Sequence, residues 1–335
     1  MSILSVGDLA NTYQLRRLSV ALKTDLAKLG QELATGRKSD LGANLSGDFG
    51  PVAAIERSIS ALNAYRTANS EAAHFLEVAQ LSLDHVQTMG RELSTGLLTA
   101  SGARDRAMIE ASAEDARQKF ESAVGKLNAS AAGRTVFSGA ATDGPALADG
   151  SEMLAALSAT VAGALTANDV SAAVDAWFDV GGGFESVGYI GSPNSLGPMA
   201  IADGETLGYP LRADATEIRE TLKGLALAAL VAEGVLPGDV AQQAELFSHA
   251  ALHLINADGE LSNLRAEIGA AQGRVEAARV RNASEASAHE LALGALVSAD
   301  PYETATALQA VHGQIETLYT VTARIAGLRF SDYMR

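Results

Sequence analysis

Residues 15–40 read LRRLSVALKTDLAKLGQELATGRKSD. Leu15, Leu18 and Leu22 recur eleven residues later as Leu26, Leu29 and Leu33, so one narrow apolar stripe persists for about five turns of helix. An eleven-residue period suits a straight or slightly right-handed bundle helix better than a heptad seam does. Gly36 then breaks the pattern, and Arg37 and Lys38 follow where the carbonyl end of a helix favours positive charge by about 0.3–1 kcal/mol. The basic pair also suits a contact with an acidic neighbouring subunit. A lone leucine stripe cannot stay in water, so this helix needs a partner.

The last segment offers one. Leu308, Val311, Ile315, Leu318, Thr322, Ile325 and Leu328 alternate spacings of three and four, a second amphipathic helix at the other end of the chain. Between the two, Pro51 suits a first helical turn, and Leu62, Tyr65, Ala72, Leu76, Ala79, Leu83, Val86, Leu93 and Leu97 predict one very long helix reaching Gly102, interrupted by Asn69 and Gly90. A third helix is predicted from Asp105 to about Ala132. From 134 to 213 the texture changes to glycine clusters and four of the seven prolines, with the sole tryptophan, Trp177. Short helical patterns at 151–165 and 169–178 precede FESVGYIG, and Asp203-Gly204 predicts a hairpin between two short strands. Asp214 with Glu217 reads as a capping box opening a helix that ends near Gly234. From Pro237 helix resumes, with a joint at SADP, 298–301.

The 25 Lys and Arg against 40 Asp and Glu leave a net charge of 25 − 40 = −15, which repels nucleic-acid phosphates and anionic lipid surfaces. The absence of cysteine excludes disulfides and thiolate-bound metals. Asp8, Asn11, Arg16 and Arg17 interrupt the apolar core that a cleaved signal peptide needs, and the longest apolar run, Leu225 to Ala232, is far short of a membrane span. Candidate chemistry is sparse. His249 and His253 share a helix face with Glu245 one turn before, but the His-Glu-x-x-His pattern is absent. His74, His85, His289 and His312 are isolated. Gly181 to Gly183 lack a following Lys-Ser or Lys-Thr and read as a flexible turn. Glu71, Glu77 and Asp84 read as solvated carboxylates on polar helix faces. The expectation is a protein that is not an enzyme, with no catalytic, cofactor or metal residues.

The helix ending LGQELATGRKSD resembles the amino-terminal signature of the flagellin family, with Gly36 and Arg37 in the motif. KLNASAAGRTVFSGAATDGPAL resembles the segment found in the family's hook–filament junction members, on Asn128, Gly133, Phe137, Ser138, Gly139 and Pro145, although Ala140 and Val136 depart from it. LRAEIGAAQGRVE, 264–276, is similar to the helix before the carboxy-terminal arm and contributes Gly269, with Gly273 a departure. SADPYETATALQAV looks like that arm, with Pro301 a departure. The likeness spans roughly 1–145 and 210–335.

That resemblance implies a mostly α fold, a long-helix bundle of amino- and carboxy-terminal segments with a small central α+β insert. It implies terminal arms 1–40 and 300–335 that pair on assembly, a discontinuous bundle 41–139 with 212–299, and an outer β-containing part 140–211. The implied role is a structural adaptor between flagellar hook and filament, outside the cell and exported without a cleaved signal peptide. Its partners would be hook-associated proteins, flagellin, further copies of itself, and an export chaperone on the carboxy-terminal arm. The assembly interface would be Leu15, Leu18, Leu22, Leu26, Leu29, Leu33, Leu308, Val311, Ile315, Leu318, Ile325 and Leu328, with both arms gaining order on assembly. A flagellin forming the filament itself is the near alternative; an intracellular coiled-coil scaffold or a metal-dependent enzyme using His249 and His253 are the distant ones.

Overall fold

The computed structural model describes the backbone of residues 6–209 and 211–333 and the side chains of 10–208 and 211–325. In chain order the elements are α1 (Val6–Thr35), α2 (Leu41–Asn44), α3 (Gly50–Ala103), α4 (Arg106–Leu127), β1 (Ser130–Ala131), β2 (Arg134–Thr135), α5 (Gly150–Val161), α6 (Ala167–Phe178), a π-helical turn (Phe184–Gly188), β3 (Leu196–Ala202), β4 (Glu205–Tyr209), α7 (Thr216–Ala229), α8 (Val240–Val297) and α9 (Pro301–Tyr333). The fold is mostly α, built on long helices with two small antiparallel hairpins. Contacts divide it into two compact units, residues 1–61 with 284–335 and residues 62–283.

The core belongs to unit 62–283. Phe120, Phe137, Phe184 and Phe247 are fully buried there with Leu76, Leu83, Leu93 and Leu97 of α3. α7 is its centre: Leu222, Leu225, Leu227 and the alanines 226, 228 and 229 are all inaccessible, so the carboxy-terminal half of this helix is apolar all round, and the helix packs against α4 and α6. The short apolar run from Leu225 is therefore a core segment as far as Val231, with Ala232 exposed. No helix among the described residues is long and apolar enough to cross a membrane. Polar staples join the long helices. Gln87 of α3 donates to Asp258 and Ser262 of α8, Arg91 pairs with Asp258, and Arg265 reaches Asp84 at 2.8 Å. Asp84 is thus an ion-pair partner and more than a solvated carboxylate. Buried Asn69 and Asn282 both donate to the Ile201 carbonyl, pinning β3 to the two long helices. The interruption at Asn69 in the apolar spacing is a strand anchor.

The local predictions differ from the structure in four places. α4 stops at Leu127, because Asn128 leaves the helix to clamp a later loop, while Asp105 caps its start by accepting from Met108 N. Asp214 is not a helix cap. α7 starts from Ala215 without a side-chain cap, and Asp214 instead takes the Arg212 guanidinium. FESVG winds into a π-helical turn. Gly182 and Gly183 are packed rather than loose: a Cβ on Gly183 would lie 1.9 Å from Trp177 Nε1. The predicted hairpin is present, β3 and β4 pairing antiparallel around Asp203-Gly204, with Gly204 at φ +65°.

Candidate assembly interface

In unit 1–61 with 284–335, α1 lies along α9. Leu15, Leu22, Leu26 and Leu29 of α1, and Leu308, Val311, Ile315 and Leu318 of α9, are half-buried by this pairing. Leu18 stays 54% exposed, Leu33 42% and Ile325 36%. The Leu328 side chain lies outside the described residues. A cleft of about 580 Å³ opens on the pair, lined by Leu18 and Leu22 on one side and by Ala310, Gly313, Thr317, Leu318 and Val321 on the other. Tyr13, Val20 and Tyr319 are exposed beside these stripes. The Lys23 ammonium stands 5.9 Å from the Tyr319 ring centre, while no ion pair among the described residues joins the two helices. The arms are therefore already helical and paired within one chain, and their seam is half-dry. The half-buried residues have already gained most of the roughly 1.5–3 kcal/mol that burial of each can supply, whereas Leu18 and Leu33 keep a larger share unrealised until something else covers them.

The turn after α1 works as a clasp. Gly36 adopts φ +67°, which ends the helix, and its N–H returns to the Glu32 carbonyl at 2.8 Å. The chain then runs antiparallel to the joint between α8 and α9. Arg37 bridges Ser298, Lys38 N donates to the Val297 carbonyl at 2.9 Å, and Ala299 N donates to the Gly36 carbonyl at 3.0 Å. Asn44 Nδ2 donates to the Leu296 carbonyl, and Asn44 Oδ1 accepts from Lys38 Nζ. Val297 and Ala299 at the clasp are buried, as are Val52 and Thr304 elsewhere in this unit. The backbone of the basic turn, more than its charge, sets where the two arms begin; the Arg37 side chain is exposed.

Three of the remaining motif residues, Asn128, Phe137 and Gly139, form the neck of segment 140–211. Asn128 accepts from Ala146 N and Leu147 N and donates to the Leu147 carbonyl, all within 3.0 Å. Phe137 is fully buried, and its carbonyl accepts from Ala213 N, while Ser138 bridges Arg212. Gly139 sits at φ +62° where a Cβ would meet the carbonyl oxygens of Asn194 at 2.5 Å and Ser192 at 2.7 Å. Gly133 sits at φ +79° in the β1–β2 turn with open space around it. Entry and exit of the segment are thus tied at one knot. Gly269 lies inside α8 with nothing near a would-be Cβ, and the structure supplies no reason for glycine there.

His249 and His253 do lie on one face of α8. His253 stands beside Asp175 and Glu220, between which the Lys223 ammonium already sits. Among the described residues no group of three metal-capable side chains is assembled. His253, with Lys223, holds the Glu220 carboxyl down to about 2. Its folded-state pKa lies below the unfolded value, so the stability it contributes is complete above about pH 4.5 and drains away as pH falls toward 2. Urea midpoints read by Trp177 fluorescence should therefore fall between about pH 5 and about pH 3, and Glu220→Gln should flatten the fall. An undiminished fall in the variant would show that other carboxylates carry it. Sequence spacing missed this cluster because its members come from three helices.

No protein-family model and no curated relative matches the chain. Among solved structures, a protein described as a flagellar hook-associated protein from Vibrio parahaemolyticus is similar at a TM-score of 0.48 and 14% identity, over 72% of this chain and 93% of that one.

Charge is distributed unevenly between the units. Residues 62–283 hold 15 of the 25 Lys and Arg and 28 of the 40 Asp and Glu, a net of 15 − 28 = −13 out of −15. The arms and their flanks therefore hold −2, and copies approaching through that unit meet little of the total repulsion.

Proposed function

We propose that this chain is a structural subunit of the bacterial flagellum, an adaptor at the junction of hook and filament, which assembles through its two terminal helices. The observation that carries the reading is the half-covered seam of α1 and α9. Apolar stripes along both arms remain partly wet after pairing with each other, and stacking of copies or close relatives around an axis is a way to dry them. The near-neutral charge of that unit supports it, as does the motif resemblance in the terminal segments. On this reading arms 1–40 and 300–335 line the inner wall, 41–139 with 212–299 form the bundle around it, and 140–211 faces outward. Hook-associated proteins and flagellin are the neighbours, and an export chaperone covers the α9 seam beforehand. The chain acts by position and performs no catalysis.

Cells lacking the protein are expected to build hooks and shed flagellin into the medium. Normal filaments in such cells would refute the reading. Long filaments grown from the purified protein alone would point to the filament subunit instead.

A further inference from the structure

Helices α6, α7 and α8 meet at a charged cluster that the assembly reading does not use. Lys223 of α7 is 7% exposed, with its ammonium 3.0 Å from Asp175 Oδ1 of α6 and 2.7 Å from Glu220 Oε2 of α7. His253 of α8 faces the same two carboxylates, Nε2 3.9 Å from Asp175 Oδ1 and Nδ1 3.8 Å from Glu220 Oε2. The ring also borders an open cleft of about 260 Å³ with Ser171, His249, Leu252 and Asn256, through which protons reach it. His249, one turn earlier on the same helix, is the other titratable group here, its Nδ1 buried without a partner.

Two carboxylates and one ammonium leave the cluster one positive charge short. Asp175 Oδ1 is buried and, although within ion-pair range of Lys223, accepts no well-aligned hydrogen bond. A neutral imidazole has a single N–H and can donate to one of the two acids while turning a lone pair toward the other; an imidazolium donates to both. We propose that His253 is a proton-operated latch, which as imidazolium ties Asp175 of α6 and Glu220 of α7 to α8 and as neutral imidazole lets one of them go. Closing these contacts to charge-assisted hydrogen bonds of about 2.8 Å requires side-chain shifts of only about 1 Å. The grip of α6, part of the 140–211 segment, on the bundle is then firmer in mild acid than in mild alkali.

Trp177 lies on α6 two residues after Asp175 and is the only tryptophan, so it reports on this junction in the full-length chain. Urea unfolding of the wild type, His253→Gln, His249→Gln and Asp175→Asn is compared at about pH 5.5 and about pH 8, either side of the unperturbed histidine range. At the lower pH the unfolding equilibrium constant of His253→Gln should exceed that of the wild type roughly two- to fivefold, the range of a partly exposed ion pair. At the higher pH that difference should vanish. His249→Gln should keep the wild-type response and Asp175→Asn should lose it. An equal gap between wild type and His253→Gln at both pH values, or loss of the response in His249→Gln, overturns the latch. Should His253→Gln fail to fold, Asp175→Asn decides alone: a gap from wild type that is the same at both pH values overturns the proposal.

Discussion

Aspartate at Leu22 and Leu318 together should abolish assembly while leaving the unfolding of residues 62–283 unchanged. Both leucines line the cleft between α1 and α9, one from each arm. In a stacked assembly each would be fully buried, so the double variant forfeits what remains of the roughly 1.5–3 kcal/mol per leucine and adds two carboxylates whose desolvation costs several kcal/mol more. Every copy repeats the penalty, which is why a complete loss is expected rather than a shift in critical concentration. The core cluster contains no residue of 1–61 or 284–335, so the Trp177-reported urea midpoint should not move. Sedimentation and negative-stain microscopy of the purified protein, alone and mixed with flagellin or hook proteins, measure the first effect, and fluorescence the second. Assembly at wild-type level would show that the seam is not the interface. A lowered midpoint would show that the arms support the core.

Valine at Gly139 is expected to destabilise the core unit severely. The left-handed backbone at φ +62° costs a β-branched residue on the order of 1–2 kcal/mol. The added Cβ would also overlap the Asn194 and Ser192 carbonyl oxygens, which are backbone and cannot swing aside. Relief would require parting Ala140 N from Asn194 O and Ser192 N from Ser138 O, two of the bonds that close the neck. The sum is about 3 kcal/mol or more, a large share of a normal domain's stability. Gly133→Ala is the matched control: it shares the positive φ, at +79°, but nothing lies within 4 Å, so only about 1 kcal/mol is expected. Equal midpoints for the two variants would show that the contacts at Gly139 are not what holds the segment closed.

The contrast between these two glycines marks where sequence reading stops. Both were legible as motif positions, and their positive φ angles suit turns, because glycine in a turn is a local signal. Which of them is enclosed was not legible, since the enclosing carbonyls are more than fifty residues away. The same division runs through the chain. The spacing from Leu62 to Leu97 announced α3, and Asp203-Gly204 announced the hairpin, since period and turn chemistry act over a few residues. Asp214 followed by Glu217 looked like a cap from its local pattern, yet Arg212, fixed at the neck beside Ser138, takes the carboxylate instead. Asp84 looked solvated until α8 brought Arg265 to it.

The arms show the limit most plainly. Their leucine periods alone established two amphipathic helices with faces that need cover. Only the tertiary structure decided that α1 turns its face to α9 of its own chain, that the Gly36–Lys38 backbone clasps the joint at Ser298, and that the resulting seam is still half-wet. The physical reason is that a period reveals which side of a helix is apolar, whereas what covers that side depends on where the rest of the chain can reach.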